Sequence, residues 1–286
     1  MTFLHRHRWA TPYLLLLPGI AWLAAFFVVP LGYLLYQSLQ SGSILTGGYE
    51  FTWQFSNYWD AISTYDAQFL RSFLYAGIAT TAALLISYPL VYWIAFRAGR
   101  WRNLALLVIV APFFVTYLVR TLAWLNILAD EGPVVGALRT LQVLDDDGRL
   151  LATTFAVVAG ITYNFLPFMA LPLYVSLEQL DPRLLEAAKD LYASPVHAFL
   201  RVTLPLSAPG IVAGTLLTFI PAAGDFINAA LLGTPRQSMI GNVIQNRFLE
   251  QVDYPTAAAL SFILMALILV ALLVYARAVG TERLTG

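Results

Sequence analysis

Five long stretches of this chain carry no charged residue: between Arg8 and Glu50, Arg71 and Arg97, Arg149 and Glu178, Arg201 and Asp225, and Asp253 and Arg277. A helix needs roughly 20 mostly apolar residues to cross the hydrocarbon core of a bilayer, and each stretch is long enough. A sixth window, from Arg102 to Asp130, is interrupted by Arg120 alone. The expectation is an all-α integral membrane protein. Its six transmembrane helices fall near 13–36, 70–96, 104–128, 152–177, 206–232 and 255–277, making the whole chain, 1–286, one transmembrane domain. Composition agrees, because 59% apolar and 11% charged residues cannot clothe a water-exposed surface.

The first window follows His5-Arg6-His7-Arg8, is too long for a signal peptide and closes on no Ala-x-Ala site, so it reads as a retained anchor. Orientation follows from Lys and Arg in the short loops. Ten of the 16 lie on the N-terminus, the 97–103 loop, the 178–204 loop and the C-terminus: Arg6, Arg8, Arg97, Arg100, Arg102, Arg183, Lys189, Arg201, Arg277 and Arg283. Arg71, Arg120, Arg139, Arg149, Arg236 and Arg247 fall on the other side, which places both termini in the cytoplasm. Trp53, Tyr58 and Trp59, between the first two spans, read as an interfacial aromatic segment.

Asp145-Asp146-Asp147 reads as a solvated turn, since three consecutive side chains cannot all face one ion. The absence of cysteine excludes thiolate sites, and two of the three histidines stand in the N-terminal tail. There is no phosphate-cradling Gly-x-x-x-x-Gly-Lys loop, no Gly-x-Ser-x-Gly elbow and no His-Glu-x-x-His pair. No catalytic residue, cofactor or metal is expected, and ATP, if used, is bound by another chain. The longest cytoplasmic loop, about 27 residues, is well short of the ~50 of a small domain.

That loop, residues 178–204, is nevertheless organised. Asp181-Pro182 places an N-cap before a proline in the first helical turn, where a missing N–H is harmless, and Ser194-Pro195 repeats the device. Two short helices follow, about 182–192 and 195–202. In the first, Leu184, Leu185, Ala188 and Leu191 share an apolar face bordered by Arg183, Glu186, Lys189 and Asp190. A helix of that length is marginal alone in water and needs a partner surface. An interfacial helix lying on lipid headgroups is the alternative, but the helix is only modestly basic and has no Trp or Phe before Phe199.

Glu186-Ala187-Ala188, then Tyr192 four positions on, then Val202-x-Leu204-Pro205 after a nine-residue gap, resembles the coupling loop of binding-protein-dependent ABC importer permeases. That signature is Glu-Ala-Ala, three residues, Gly, nine residues, Ile-x-Leu-Pro. The resemblance implies the type I importer permease fold and a multi-pass subunit of a bacterial inner membrane, forming half of a translocation pore. It implies partners too: a dimer of ABC ATPase subunits, a second, related permease subunit, an extracytoplasmic solute-binding protein, a small solute and membrane lipid, with no nucleic acid. Glu186, Ala187, Ala188, Asp190, Leu191 and Tyr192 would then stand in or beside the ATPase socket. Tyr192 departs from the pattern. If the family's Gly ends the helix with positive φ, Tyr carries a strain of roughly 1–2 kcal/mol; if Gly serves close packing, the ATPase groove must be wider.

Leu118-Val119-Arg120-Thr121-Leu122-Ala123-Trp124, Gly224-Asp225-Phe226, Leu231-Leu232-Gly233 and Ile240-Gly241-Asn242-Val243-Ile244 resemble the polyamine and opine branch of these permeases. That branch implies a small, often cationic solute. Asp225 stands toward the outer end of the fifth span, where a carboxylate is costly and either pairs or lines a hydrated path. It contacts a cation in the pathway, or it pairs with Arg120. Pro221 and Gly224 loosen the helix beside it, and Trp124, Asn126, Asn164 and Asn228 stand as pathway or interhelical residues. Gly210 and Gly214 form a small-x-x-x-small pair suited to packing. A secondary transporter working without an ATPase is the rival reading, and a membrane scaffold the third; the first should show inverted repeats and several buried coupling carboxylates.

Overall fold

The computed structural model describes residues 11–44, 47–145 and 147–279. His5, Arg6, His7, Arg8, Asp146 and Arg283, which entered the readings above, lie outside them. Fourteen α-helices are described: α1 Thr11–Leu23, α2 Val29–Ser38, α3 Ser56–Phe96, α4 Arg102–Val110, α5 Tyr117–Leu128, α6 Pro133–Thr140, α7 Thr154–Glu178, α8 Pro182–Asp190, α9 Pro195–Ala198, α10 Leu204–Leu206, α11 Ala208–Ala223, α12 Ile227–Leu232, α13 Ile240–Gln245 and α14 Tyr254–Val279. Among the described residues, four helices are long and apolar enough to cross a membrane: Leu15–Ser38, Ser56–Phe96, Thr154–Glu178 and Tyr254–Arg277. Two bent pairs bring the number to six if each counts as one span. They are Gly99–Phe114 with Tyr117–Thr140, bent by 99°, and Pro195–Leu206 with Ala208–Ala223, bent by 62°.

The bends fall inside the expected span at 104–128 and at the start of the one at 206–232. Val115 and Thr116 are extended, with ψ of 136° and 147°, just after Pro112. Pro205 and Pro209 flank the second bend, at Ser207, and each removes a helical N–H donor. Helix α3 begins at Ser56 rather than near 70 and is kinked at Tyr65. Its first turns carry Asp60 and Asp66, so a search for charge-free windows finds only its apolar part.

The chain divides into two units. One runs to Thr64 and includes Ile244–Ile263. Its hairpin, β1 Gln40–Ser43 and β2 Gly48–Phe51, pairs antiparallel with Gln40 opposite Phe51 and Ser43 opposite Gly48. Asn57 Nδ2 donates to the carbonyls of Ser38 and Gln40 at 3.0 and 2.9 Å, and the Tyr49 hydroxyl donates to the Val252 carbonyl. Tyr58 is 2.6 Å from the Ser38 hydroxyl and is therefore an internal tie, whereas Trp53 and Trp59 are exposed.

The other unit, Tyr65–Val243 with residues from Leu264 on, is built around α7. One side of its core gathers Leu128, Val157, Ile161, Leu232 and Met239, the other Val91, Ile94, Met169, Leu173 and Leu177. In lipid, apolar burial alone does not draw helices together, and close approach does. Gly210 and Gly214 supply it, because a Cβ at Gly210 would lie 2.5 Å from Ser176 Cβ and one at Gly214 2.8 Å from Met169 Sδ. The expected packing role of this pair is what the contacts show.

Candidate functional site

Helix α8 opens as its sequence dictates. The Asp181 carboxylate accepts the Arg183 N–H at 2.9 Å, and Ser194 caps the next helix by accepting the His197 N–H at 3.3 Å. The helix closes two residues earlier than expected, at Asp190. Tyr192 N–H donates to the Lys189 carbonyl and Ala193 N–H to the Ala188 carbonyl, at 2.9 and 3.0 Å, with Tyr192 at φ 59°. This pair of bonds with one left-handed residue is the Schellman ending, at the position where glycine is the least strained choice. Tyr192 takes that conformation with its side chain 98% exposed.

The expected apolar face divides in two. Ala188 is buried and Leu185 half-buried against the following segment, while Leu184 and Leu191 point to solvent with Ala187, Glu186 and Asp190. Val196 and Leu200 are exposed as well. The second helix continues past Ala198 as a wide π-type turn, Phe199–Thr203, into α10. On the approach to the loop, Arg102 Nη2 pairs with Glu178 and Arg102 Nε donates to the Tyr174 hydroxyl, tying the start of α4 to the end of α7.

The second constellation lies where α11 stops at Ala223. Asp225, 6% exposed, sits in the break before α12, and its Oδ1 caps that helix by accepting the Asn228 N–H at 2.9 Å. Asp225 Oδ2 accepts from Asn228 Nδ2 at 3.1 Å and from the Tyr117 hydroxyl. Asn228 Nδ2 also donates to Tyr117 Oη at 2.6 Å. Asn228 Oδ1 accepts from Asn164 Nδ2 at 3.2 Å and from the Thr121 hydroxyl at 3.4 Å. Gly160 makes this fit possible, because a Cβ there would lie 2.6 Å from Asn228 Oδ1.

Asp225, Asn228 and Asn164 thus come together, while Trp124 packs on the nearby core with its ring 5.5 Å from that of Tyr163. Asn126 is exposed and bonds only back to the Leu122 carbonyl of its own helix. Arg120 does not pair with Asp225. Its guanidinium lies 5.6 Å from the rings of both Phe113 and Tyr117, with Nη1 3.5 Å from the Asn164 carbonyl. The Tyr117 ring thus stands next to Arg120 while its hydroxyl meets Asp225, which a sequence cannot specify. Tyr117 and Thr121 were missed as members, although Tyr117, Arg120, Thr121 and Trp124 follow the i, i+3, i+4, i+7 spacing of one helical face.

Residues 87–279 match the family of binding-protein-dependent transport system inner membrane components. The chain belongs to that family. It is a membrane permease subunit of an ABC importer, in which ATP is hydrolysed by a separate ATPase, and this decides against a secondary transporter or a scaffold. Among similar proteins, the spermidine/putrescine transport system permease protein PotB of Escherichia coli (strain K12) is 41% identical over 209 residues, 73% of this chain and 76% of that one. PotB of Haemophilus influenzae is 39% identical over 231 residues, 80% of this chain and 81% of that one. Among solved structures, a bacterial alginate ABC transporter in complex with an alginate pentasaccharide-bound periplasmic protein has a chain that matches with a TM-score of 0.70. It is 18% identical, with all of both chains covered. The MetNI methionine ABC transporter matches with a TM-score of 0.55 at 17% identity, over 75% of this chain and 95% of that one. At those identities the likeness is one of fold.

Proposed function

We propose that this chain is one half of the pore of a polyamine importer, a single six-span domain with both bent pairs counted as spans and both termini in the cytoplasm of a bacterial cell. A second, related permease completes the pore, an extracytoplasmic binding protein delivers the solute, and an ATPase dimer docks on residues 178–204. The chain itself holds no ATP. ATPase closure, felt through Glu186, Ala187, Ala188, Asp190, Leu191 and Tyr192, opens the pore outward, and hydrolysis returns it inward.

The observation that carries the coupling role is the apolar surface left exposed along α8 and just after it. Leu184, Leu191, Tyr192 and Val196 stand in solvent on a loop too short to fold over them. The substrate reading rests on the identity with polyamine permeases. In it, Asp225 with Asn228, Asn164 and Trp124 borders the path, and the carboxylate, rather than the neighbouring rings, meets the cationic amine.

Spermidine uptake by cells expressing the chain with its partners, and co-purification of the ATPase in mild detergent, test the two halves separately. Cysteines introduced as Lys189→Cys and Asp147→Cys into this cysteine-free chain should react with an impermeant maleimide from opposite sides. Labelling of Lys189→Cys from outside intact cells would overturn the orientation.

A further inference from the structure

Between the loop and the fifth span the chain turns through 62° at Ser207, and helix α3 holds the turn from one side. The Ser207 hydroxyl is fully buried, donates back to the Leu204 carbonyl at 3.0 Å and lies 2.7 Å from the Tyr88 hydroxyl, itself nearly buried. Tyr88 also meets the ring of Phe199 edge-on at 5.4 Å, and Tyr92, one helical turn on, meets the same ring at 6.1 Å. One face of α3 thus grips the loop-side arm of the bend at Phe199 and its vertex at Ser207. The backbone is sound on each side of the vertex, with Ser207 N–H donating to Thr203 at 2.9 Å and Ile211 N–H to the Ser207 carbonyl at 3.1 Å. With Pro205 and Pro209 in place, however, the helical bonds that would resist flexing there are missing. Thr203, equally buried, has a hydroxyl with no partner, so Ser207 is where the polar grip falls.

We infer that Tyr88 and Ser207 are positioning residues of the coupling mechanism. Their hydrogen bond and the Tyr88–Phe199–Tyr92 ring contacts hold the elbow at a fixed angle, so that displacement of the loop moves α11 and α3 as one body. The inference rests on the coupling role proposed for residues 178–204. It assigns the transmission of force to a joint about fifteen residues beyond the docking tip, made from the second span.

The test is made on the full chain, with spin labels at Lys189→Cys on α8 and Leu217→Cys on α11, both exposed. Pulsed electron resonance should give one narrow distance distribution for the otherwise unaltered chain. Tyr88→Phe should broaden it, Ser207→Ala, which also removes the bond to the Leu204 carbonyl, should broaden it at least as much, and the double variant should be no broader than Ser207→Ala, because both substitutions remove the Tyr88–Ser207 bond. An unchanged width in both single variants overturns the joint. In the reconstituted transporter the same substitutions should raise the ATP hydrolysed per labelled spermidine imported by about five-fold, the equilibrium worth of one buried neutral hydrogen bond. A broadened joint with an unchanged ratio overturns the positioning role, since a merely structural bond would lower stability without uncoupling. Failure of the ATPase to bind the unaltered chain defeats the docking reading instead, and leaves the distance result to judge the joint.

Discussion

The end of α8 and the break around Asp225 are both interruptions of helix, and they are finished in opposite ways. At the break the polar cluster finds most of its partners inside the chain: Asp225 takes Tyr117 and two donors from Asn228, and Asn228 takes Thr121 and Asn164, with Asn164 Oδ1 and Arg120 Nε left over. At α8 the backbone is fully capped, yet Leu184, Leu191 and Tyr192 are left facing water. The difference teaches where each region expects its environment to come from. A buried polar group must be satisfied by its own fold, because nothing in lipid replaces a lost partner. An exposed apolar side chain is instead tolerated until another protein covers it.

The sharpest way to break the comparison is to remove a partner at the buried site. Asn228→Leu leaves the Asp225 carboxylate and the Asn164 amide short of bonds, and should destabilise the chain by about 3 kcal/mol, read as thermal denaturation in detergent. An unaffected transition would mean that the cluster is not closed. Next in size, Leu184→Ser with Leu191→Ser should weaken ATPase association about a hundred-fold, from roughly 1.5 kcal/mol of lost apolar contact per leucine. Their exposure predicts an unchanged denaturation temperature; a lowered one would place them in the chain's own core.

Asp225→Asn separates charge from shape. The amide oxygen still accepts from Tyr117 and Asn228 Nδ2, but the amide nitrogen then faces the Asn228 N–H, so stability should fall by about 2 kcal/mol, while spermidine uptake falls further if the carboxylate meets the amine. Exchange of charges, Asp225→Arg with Arg120→Asp, should not restore a folded chain, because the two residues are bridged by Tyr117 rather than paired. The smallest effect belongs to Tyr192→Gly, which relieves left-handed strain at φ 59°. It should steady the end of α8 by about 1 kcal/mol, detectable as slower amide exchange at Ala193, while ATPase affinity drops if the exposed ring is a contact.

Much of this was legible in the sequence, and the reason differs by residue. Asp181 and Ser194 announced both loop helices because capping is local, a matter of two or three residues and one hydrogen bond. The uncharged windows marked where the chain meets lipid because transfer cost is nearly additive along a segment. The small pair Gly210 and Gly214 was legible for the same reason, as spacing on one face. The hairpin at 40–51 was not, since Gln40-Ser-Gly-Ser43 shows no apolar alternation.

By itself, then, the sequence determined helical membrane segments, two capped loop helices and the spacing that marks the permease family, all properties of residues near one another in the chain. The tertiary structure alone decided which side of α8 is spent on its own fold, that Tyr117 rather than Arg120 reaches Asp225, and that Tyr88 meets Ser207 across 119 positions. The last two depend on the angles at Thr116, Ser207 and Gly224, where proline, extended residues or a helix end release the backbone. A small rotation there redirects side chains many residues away, and no local pattern encodes its outcome.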